Sequence, residues 1–412
     1  MAVAEAIRPR LARVRAGSLL LGPAFVAAIA YVDPGNVASN VSAGAQFGYL
    51  LVWVVVVANL MAGLVQYLSA KLGLVTGMSL PEALRARMPR RGRLAYWGQA
   101  ELVAMATDLA EVMGGAIALN LLFDLPLLAG GVITGVVSMV LLLVQDRRGQ
   151  RPFERVITGL LAVVAVGFLA SLFVAPPSPA GIVRGLVPRF DGAESVLLAA
   201  AMLGATVMPH AVYLHSGLAR DRHGHATGGR LARLLRVTRF DVTLAMLVAG
   251  TVNLAMILLA ATNLQGLPGV DSIAGAHGAV SGTLGAGVAL LFAIGLLASG
   301  LASTSVGAYA GAMIMQGLLR KRIPLLLRRL VTLLPAIVVL AAGADPSRAL
   351  VVSQVVLSFG IPFALIPLVK LTSDRSLMGA DANHRMTSVV AWAIAGVIVT
   401  LNLALIYLTF LR

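Results

Sequence analysis

Apolar residues run along this chain in blocks of about 20, separated by short polar stretches rich in arginine. That block length lets a helix cross about 30 Å of hydrocarbon. Eleven blocks lie at about 18–42, 48–70, 97–120, 125–144, 156–174, 194–217, 241–262, 284–317, 330–343, 349–369 and 387–410. The block at 284–317 is too long for one simple span and predicts a helix that tilts or projects from the bilayer. The block at 330–343 is short and relies on its flanks. No polar stretch is long enough for a separate soluble domain. The longest external one, around 175–193, contains Pro176, Pro177 and Pro179 and is predicted to be extended.

Composition agrees with that pattern. Of 412 residues, 59% are hydrophobic and only 12% charged, with a mean hydropathy of +0.91. A soluble domain carries roughly 25% charge, so soluble and disordered classes are both excluded. The net charge of +15 would suit a nucleic-acid partner, but its placement argues otherwise. Of the 32 basic residues, all but Arg184, Arg189, Arg348 and Arg412 fall in the N-terminal segment or in alternate loops. This asymmetry is the positive-inside pattern. It predicts a multi-pass protein of the plasma membrane with a cytoplasmic N-terminus, an extracytoplasmic C-terminus and no nucleic-acid binding. Residues 1–17 read as a cytoplasmic segment leading into a helix that is retained rather than cleaved. The absence of cysteine excludes disulfides, thiolate catalysis and Cys-type zinc sites.

Two spans carry helix breakers in polar company. The first holds Asp33-Pro34-Gly35-Asn36 at its centre, and the sixth holds Met208-Pro209-His210 after Gly204-Ala205-Thr206. Proline removes a backbone donor and obstructs the preceding turn. Irregular backbone within a bilayer is tolerated where it lines a cavity, and a charge at mid-depth costs at least a few kcal/mol. The two breaks lie five spans apart in order, in spans one and six. The spacing suggests an inverted repeat of 18–174 and 194–371, with 387–410 added, and substrate binding at the midplane between the broken helices. The groups on offer are the Asp33 carboxylate, the Asn36 amide oxygen, a freed carbonyl (most plausibly Ala205) and the Met208 thioether. Oxygen ligands alone suit Mg²⁺ or Ca²⁺, whereas a thioether favours later first-row metals. The set therefore fits Mn²⁺ or Fe²⁺, with Cd²⁺ tolerated.

These motifs resemble those of the natural resistance-associated macrophage protein (Nramp) family of proton-coupled divalent metal transporters. Asp33-Pro34-Gly35-Asn36 and Met208-Pro209-His210 look like its two signatures. The stretches Ala43–Tyr49, Ala106–Glu111 and Ser358–Leu365 are similar too. The resemblance covers essentially the whole chain. It implies an all-α, LeuT-like fold of eleven transmembrane helices with helices 1 and 6 broken. It implies Asp33, Asn36, Ala205 and Met208 as metal ligands, with Gln354 approaching the metal in some conformations. It also implies import of Mn²⁺ or Fe²⁺ with protons, with the metal as cargo and no permanently bound cofactor. One departure is Ala312, where the family usually has glutamine after Ala-Gly.

Span three carries Glu101, Asp108 and Glu111, whose spacings of seven and three put them on one helical face. His210 and His215 follow the second break, and histidine titrates near physiological pH. Arg328 and Arg329 open span nine as the nearest counter-charges. The resemblance implies a proton path from Asp33 and His210 through Glu111 and Asp108 towards Glu101 and these arginines, and His215 is a further candidate for it whose other reading is packing or interfacial. The alternatives are a Mg²⁺ transporter relative and a sodium-coupled amino-acid carrier of the same architecture. An embedded hydrolase is disfavoured, since no His-Glu-x-x-His motif or nucleophile–base pair occurs. Protons, the metal ion and the lipid bilayer are the expected partners, and no obligate protein partner is evident.

Overall fold

The computed structural model describes residues 22–270, 272–321 and 323–410, and among these there are helices and connecting turns but no strand. The first broken span comprises α1 (Pro23–Ala28), a 3₁₀ turn (Ile29–Val32) and α2 (Pro34–Phe47). Next come α3 (Val52–Thr76), the short α4 (Leu80–Arg87), α5 (Arg90–Phe123), α6 (Leu127–Arg148) and α7 (Gln150–Val174). After α8 (Pro179–Gly185), the second broken span is α9 (Gly192–Thr206) and α10 (Pro209–His223). There follow α11 (Gly228–Asn263), α12 (Ile273–Leu284), α13 (Ala286–Leu319) and α14 (Leu325–Ala341). The chain continues with α15 (Pro346–Ser373), α16 (Arg375–Met378) and α17 (Arg385–Phe410).

Helices occur at every one of the predicted blocks, but nine of them, among the described residues, are long and apolar enough to cross a membrane. The two that fall short are the described part of the first span, cut at Asp33, and α14, whose 17 residues reach only about 26 Å. Residues 18–21, at the start of the first predicted span, lie outside the described residues, as do 1–17 and Arg412. The 34-residue α13 extends to about 51 Å, as its long apolar block predicted. The loop at 175–193 differs from expectation. It contains the helix α8 rather than only extended chain, because Ser178 caps it by accepting from the Gly181 N–H at 3.2 Å and Pro179 occupies its first turn.

The packing turns polarity inward. The broken spans sit among α3, α5, α11, α13 and α15, where Asp33, Gln66, Glu111, His210 and Arg329 are buried. Valines and leucines of α6, α7, α14 and α17 face outward, for example Val136, Val166, Leu334 and Leu403. Such exposed apolar faces suit contact with lipid, where helix association depends on close packing and interhelical hydrogen bonds rather than hydrophobic burial. Close approach is achieved through glycine. A Cβ at Gly73 would stand 2.0 Å from the Ser216 carbonyl oxygen, so α3 and α10 touch backbone to backbone.

Candidate functional site

Each break is a helix start placed inside a span. Asp33 adopts an extended conformation (φ −72°, ψ 170°), as a residue before proline prefers, and caps α2 with Pro34 in its first turn. Its Oδ1 accepts from the Asn36 backbone N–H at 2.7 Å and from Asn36 Nδ2 at 2.8 Å. At the second break α9 ends at Thr206, Val207 leaves the helix, and Met208 (φ −66°, ψ 122°) precedes α10 with Pro209 in its first turn. Met208 makes no side-chain cap to α10.

The two breaks meet. Asn36 Nδ2 also donates to the Ala205 carbonyl at 3.0 Å, and Thr206 Oγ1 donates to Asn36 Oδ1 at 3.3 Å. One amide nitrogen therefore lies within 3.0 Å of both a carboxylate oxygen of the first break and a freed carbonyl of the second. The Asp33 Oδ2 atom is buried without a hydrogen-bond partner, and so is Gln354 Oε1 on α15. Asp33, Asn36, Ala205, Met208 and Gln354 are all 0% exposed, so the region is closed to both faces. Glycines allow this convergence. A Cβ on Gly35 would lie 1.8 Å from Gln354 Nε2, and one on Gly204 would lie 2.0 Å from the Gln354 carbonyl oxygen. The C-terminal end of α9 directs its partial negative charge at the same point.

The three acids of α5 do lie on one face, and each has a distinct setting. Asp108 Oδ1 pairs with Arg329 Nη1 at 2.5 Å, and Glu101 Oε1 with Arg328 Nη2 at 2.6 Å. Arg329 is fully buried and also donates from Nε to Ser138 Oγ at 3.2 Å. Glu111 lies deeper, with both oxygens buried beside Ser303 and in the field of Asp108, Arg329 and Asp33. His210 Nδ1 is 3.4 Å from Thr107 Oγ1, and its Nε2 has no partner. Polar groups thus run from the breaks along α5 to Arg328. Beyond Arg328 a cavity of about 720 Å³ opens, lined also by Ala312, Glu82, Arg220 and Lys321. At its rim, burial raises the Glu82 carboxyl, but donors from Ser79 and the Arg220 guanidinium outweigh it and hold Glu82 below the usual carboxylate value.

His215 stands apart from this line. It pairs through Nδ1 with Gln66 Oε1 at 2.6 Å, and Gln66 in turn donates to the Tyr31 hydroxyl. Sequence reasoning passed over Thr107, Gln66 and Thr206. It also passed over Asn402, which exchanges hydrogen bonds with Ser358, and Asp241, which accepts from the Gly22 and Ala24 N–H groups at the start of α1. Thr206 could have been found from its place beside Ala205. Asp241 had no local signal, since its partners lie 217 and 219 residues away. Among the described residues no cluster of three or more His, Asp or Glu could hold a metal ion. Any cation at the breaks would rely on one carboxylate aided by neutral donors.

The sequence profile described as natural resistance-associated macrophage protein-like matches residues 24–408. A divalent metal cation transporter of Mycobacterium tuberculosis, MntH, is 69% identical over 391 residues, covering 95% of this chain and 91% of that protein. The crystal structure of an Eremococcus coleocola manganese transporter superposes with a TM-score of 0.84 at 33% identity, covering 93% of this chain and 86% of that one. A nucleobase-cation-symport-1 family transporter, Mhp1, shares the fold at 16% identity, with a TM-score of 0.61 and coverage of 94% and 91%. With a matching profile across nearly its whole length and this level of identity, the chain belongs to the natural resistance-associated macrophage protein family.

Proposed function

We propose that this multi-pass membrane protein imports divalent transition-metal ions, Mn²⁺ and Fe²⁺ with Cd²⁺ tolerated, together with protons, by alternating access around the two breaks. One observation carries the reading: Asp33 Oδ1 and the Ala205 carbonyl converge on a single point, at present filled by the Asn36 amide nitrogen. A cation arriving there displaces that N–H₂ group. Turning the amide over then presents Asn36 Oδ1 as a further ligand, while the partnerless Asp33 Oδ2 supplies negative charge. Met208, buried at the second break, adds the soft donor that disfavours Mg²⁺ and Ca²⁺. Gln354 reaches the same region against Gly35 and serves as a ligand in part of the cycle. The names of the M. tuberculosis and E. coleocola relatives support metal, and manganese in particular, as cargo.

Metal charge beside Asp33 expels a proton from the nearby acids. The proton leaves by His210, Glu111 and Asp108 towards Glu101, Arg328 and Arg329, whose ion pairs hold the acids of α5 in line. The basic loops face the cytoplasm. In that orientation an interior-negative potential favours entry by about 2.3 kcal/mol per charge per 100 mV. The chain divides into repeats 18–174 and 194–371 with 387–410 appended, and it works as a carrier rather than an enzyme.

Isothermal titration of Mn²⁺, Mg²⁺ and Ca²⁺ into purified wild type and Asp33→Ala, paired with uptake into proteoliposomes, tests the assignment. Binding of Mn²⁺ well above Mg²⁺, lost in the variant, is expected. Mg²⁺ bound as tightly as Mn²⁺ would move the chain to the Mg²⁺ reading, and uptake of amino acids but not metal would favour the carrier of that class.

A further inference from the structure

The α6–α7 junction holds a group of arginines that the transport site does not use. A hollow of about 480 Å³ is lined by Arg148, Arg151, Arg155 and Arg222, with Gln150 and Asp221. Arg222 is engaged by Glu154 at 3.6 Å, and Asp221 by Arg220 at 2.8 Å. Among the described side chains no close ion pair engages Arg148, Arg151 or Arg155, although Arg151 lies in the field of Glu154, in contrast to Arg87, Arg220, Arg328 and Arg329. Among the described side chains the hollow thus sets four arginines against Asp221 and the nearby Glu154, an excess of positive charge. The two helices that meet there also carry exposed apolar faces. Val132, Val136 and Val140 of α6 and Val156, Val163 and Val166 of α7 are exposed apolar residues leading away from it along both helices. A basic pocket at the foot of two outward apolar helix faces matches a molecule with a phosphate at one end and acyl chains at the other.

We propose that this hollow binds the phosphate of an anionic phospholipid, with the acyl chains lying along the exposed valines of α6 and α7. Arg148, Arg151 and Arg155 supply the charge, and Gln150 a neutral donor. The site is connected to the transport machinery through α10, which begins at the second break and ends beside Asp221 and Arg222.

The test titrates purified protein in neutral detergent with dioleoylphosphatidylglycerol or dioleoylphosphatidylcholine and counts retained lipid by native mass spectrometry. It requires no metal transport. Wild type should retain the anionic lipid preferentially. Combined Arg148→Gln, Arg151→Gln and Arg155→Gln should weaken that retention on the order of 100-fold, at about 1 kcal/mol for each arginine. The charge-matched set Arg230→Gln, Arg233→Gln and Arg236→Gln should retain it. Arg155→Gln alone, expected to cost about fivefold, replaces the triple variant if that fails to fold. Equal retention of the two lipids, equal loss in both triple variants, or no change in Arg155→Gln would overturn the proposal. Displacement of the lipid by inorganic phosphate would assign the hollow to free phosphate instead.

Discussion

The two breaks do the same topological work with opposite chemistry. At the first, a charged side chain caps the following helix and is held by two N–H donors of Asn36. At the second, the residue in the capping position is a methionine with no side-chain cap, and the polar group on offer is a backbone carbonyl. The first contributes charge and fixed direction, and the second contributes a dipole and a polarisable sulfur. Their contacts to α15 differ in the same way. Gly35 meets the movable end of Gln354, whereas Gly204 meets the Gln354 backbone. Strength of binding should therefore depend mainly on the first break, and choice among ions on the second.

The largest effect is expected at Asp33. A unit charge pair at about 4 Å gains on the order of 4 kcal/mol at an effective dielectric of about 20. Asp33→Ala should therefore weaken Mn²⁺ binding on the order of 10³-fold by calorimetry, and affinity near wild type would move the charge elsewhere. Next comes Gly204→Ala. Its Cβ overlaps backbone that cannot turn aside, so it should cost about 3 kcal/mol of stability, read as a lower midpoint in thermal unfolding in detergent. Gly35→Ala meets a side chain that can rotate, so it should cost only about 1 kcal/mol while still altering uptake. Equal destabilisation by the two would remove the distinction between the breaks. The smallest effect belongs to Met208→Leu, which keeps the volume. It should leave Mn²⁺ uptake largely intact but strengthen competition by Mg²⁺ about threefold. Unchanged Mg²⁺ competition would deny the sulfur a part in selectivity.

The breaks could be read in advance because Asp-Pro and Met-Pro are local helix-start signals, and a carboxylate and an amide beside two helix breakers make a poor simple kink. The common face of Glu101, Asp108 and Glu111 was equally legible, since it follows from helical spacing alone. Pairing was not. Their place at the start of span nine marked Arg328 and Arg329 as counter-charges, but which acid each meets depends on how α14 lies across α5. The placement of His215 against Gln66, and of Asp241 against the start of α1, comes from contacts between helices far apart in the chain. The helix α8 was missed because three prolines outweighed one capping serine.

One face of α13 bears Gly300, Ser303, Gly307 and Gly311 at intervals of three or four residues. A methyl on Gly300 would approach the backbone of α5, one on Gly307 would come within 3.1 Å of Glu111, and one on Gly311 within 2.1 Å of Arg328. The corridor beside the acids is thus a mould cast by missing side chains. Alanine at Gly300, Gly307 or Gly311, otherwise a mild helix-favouring exchange, would deform it from within by pressing on the α5 backbone, Glu111 or Arg328.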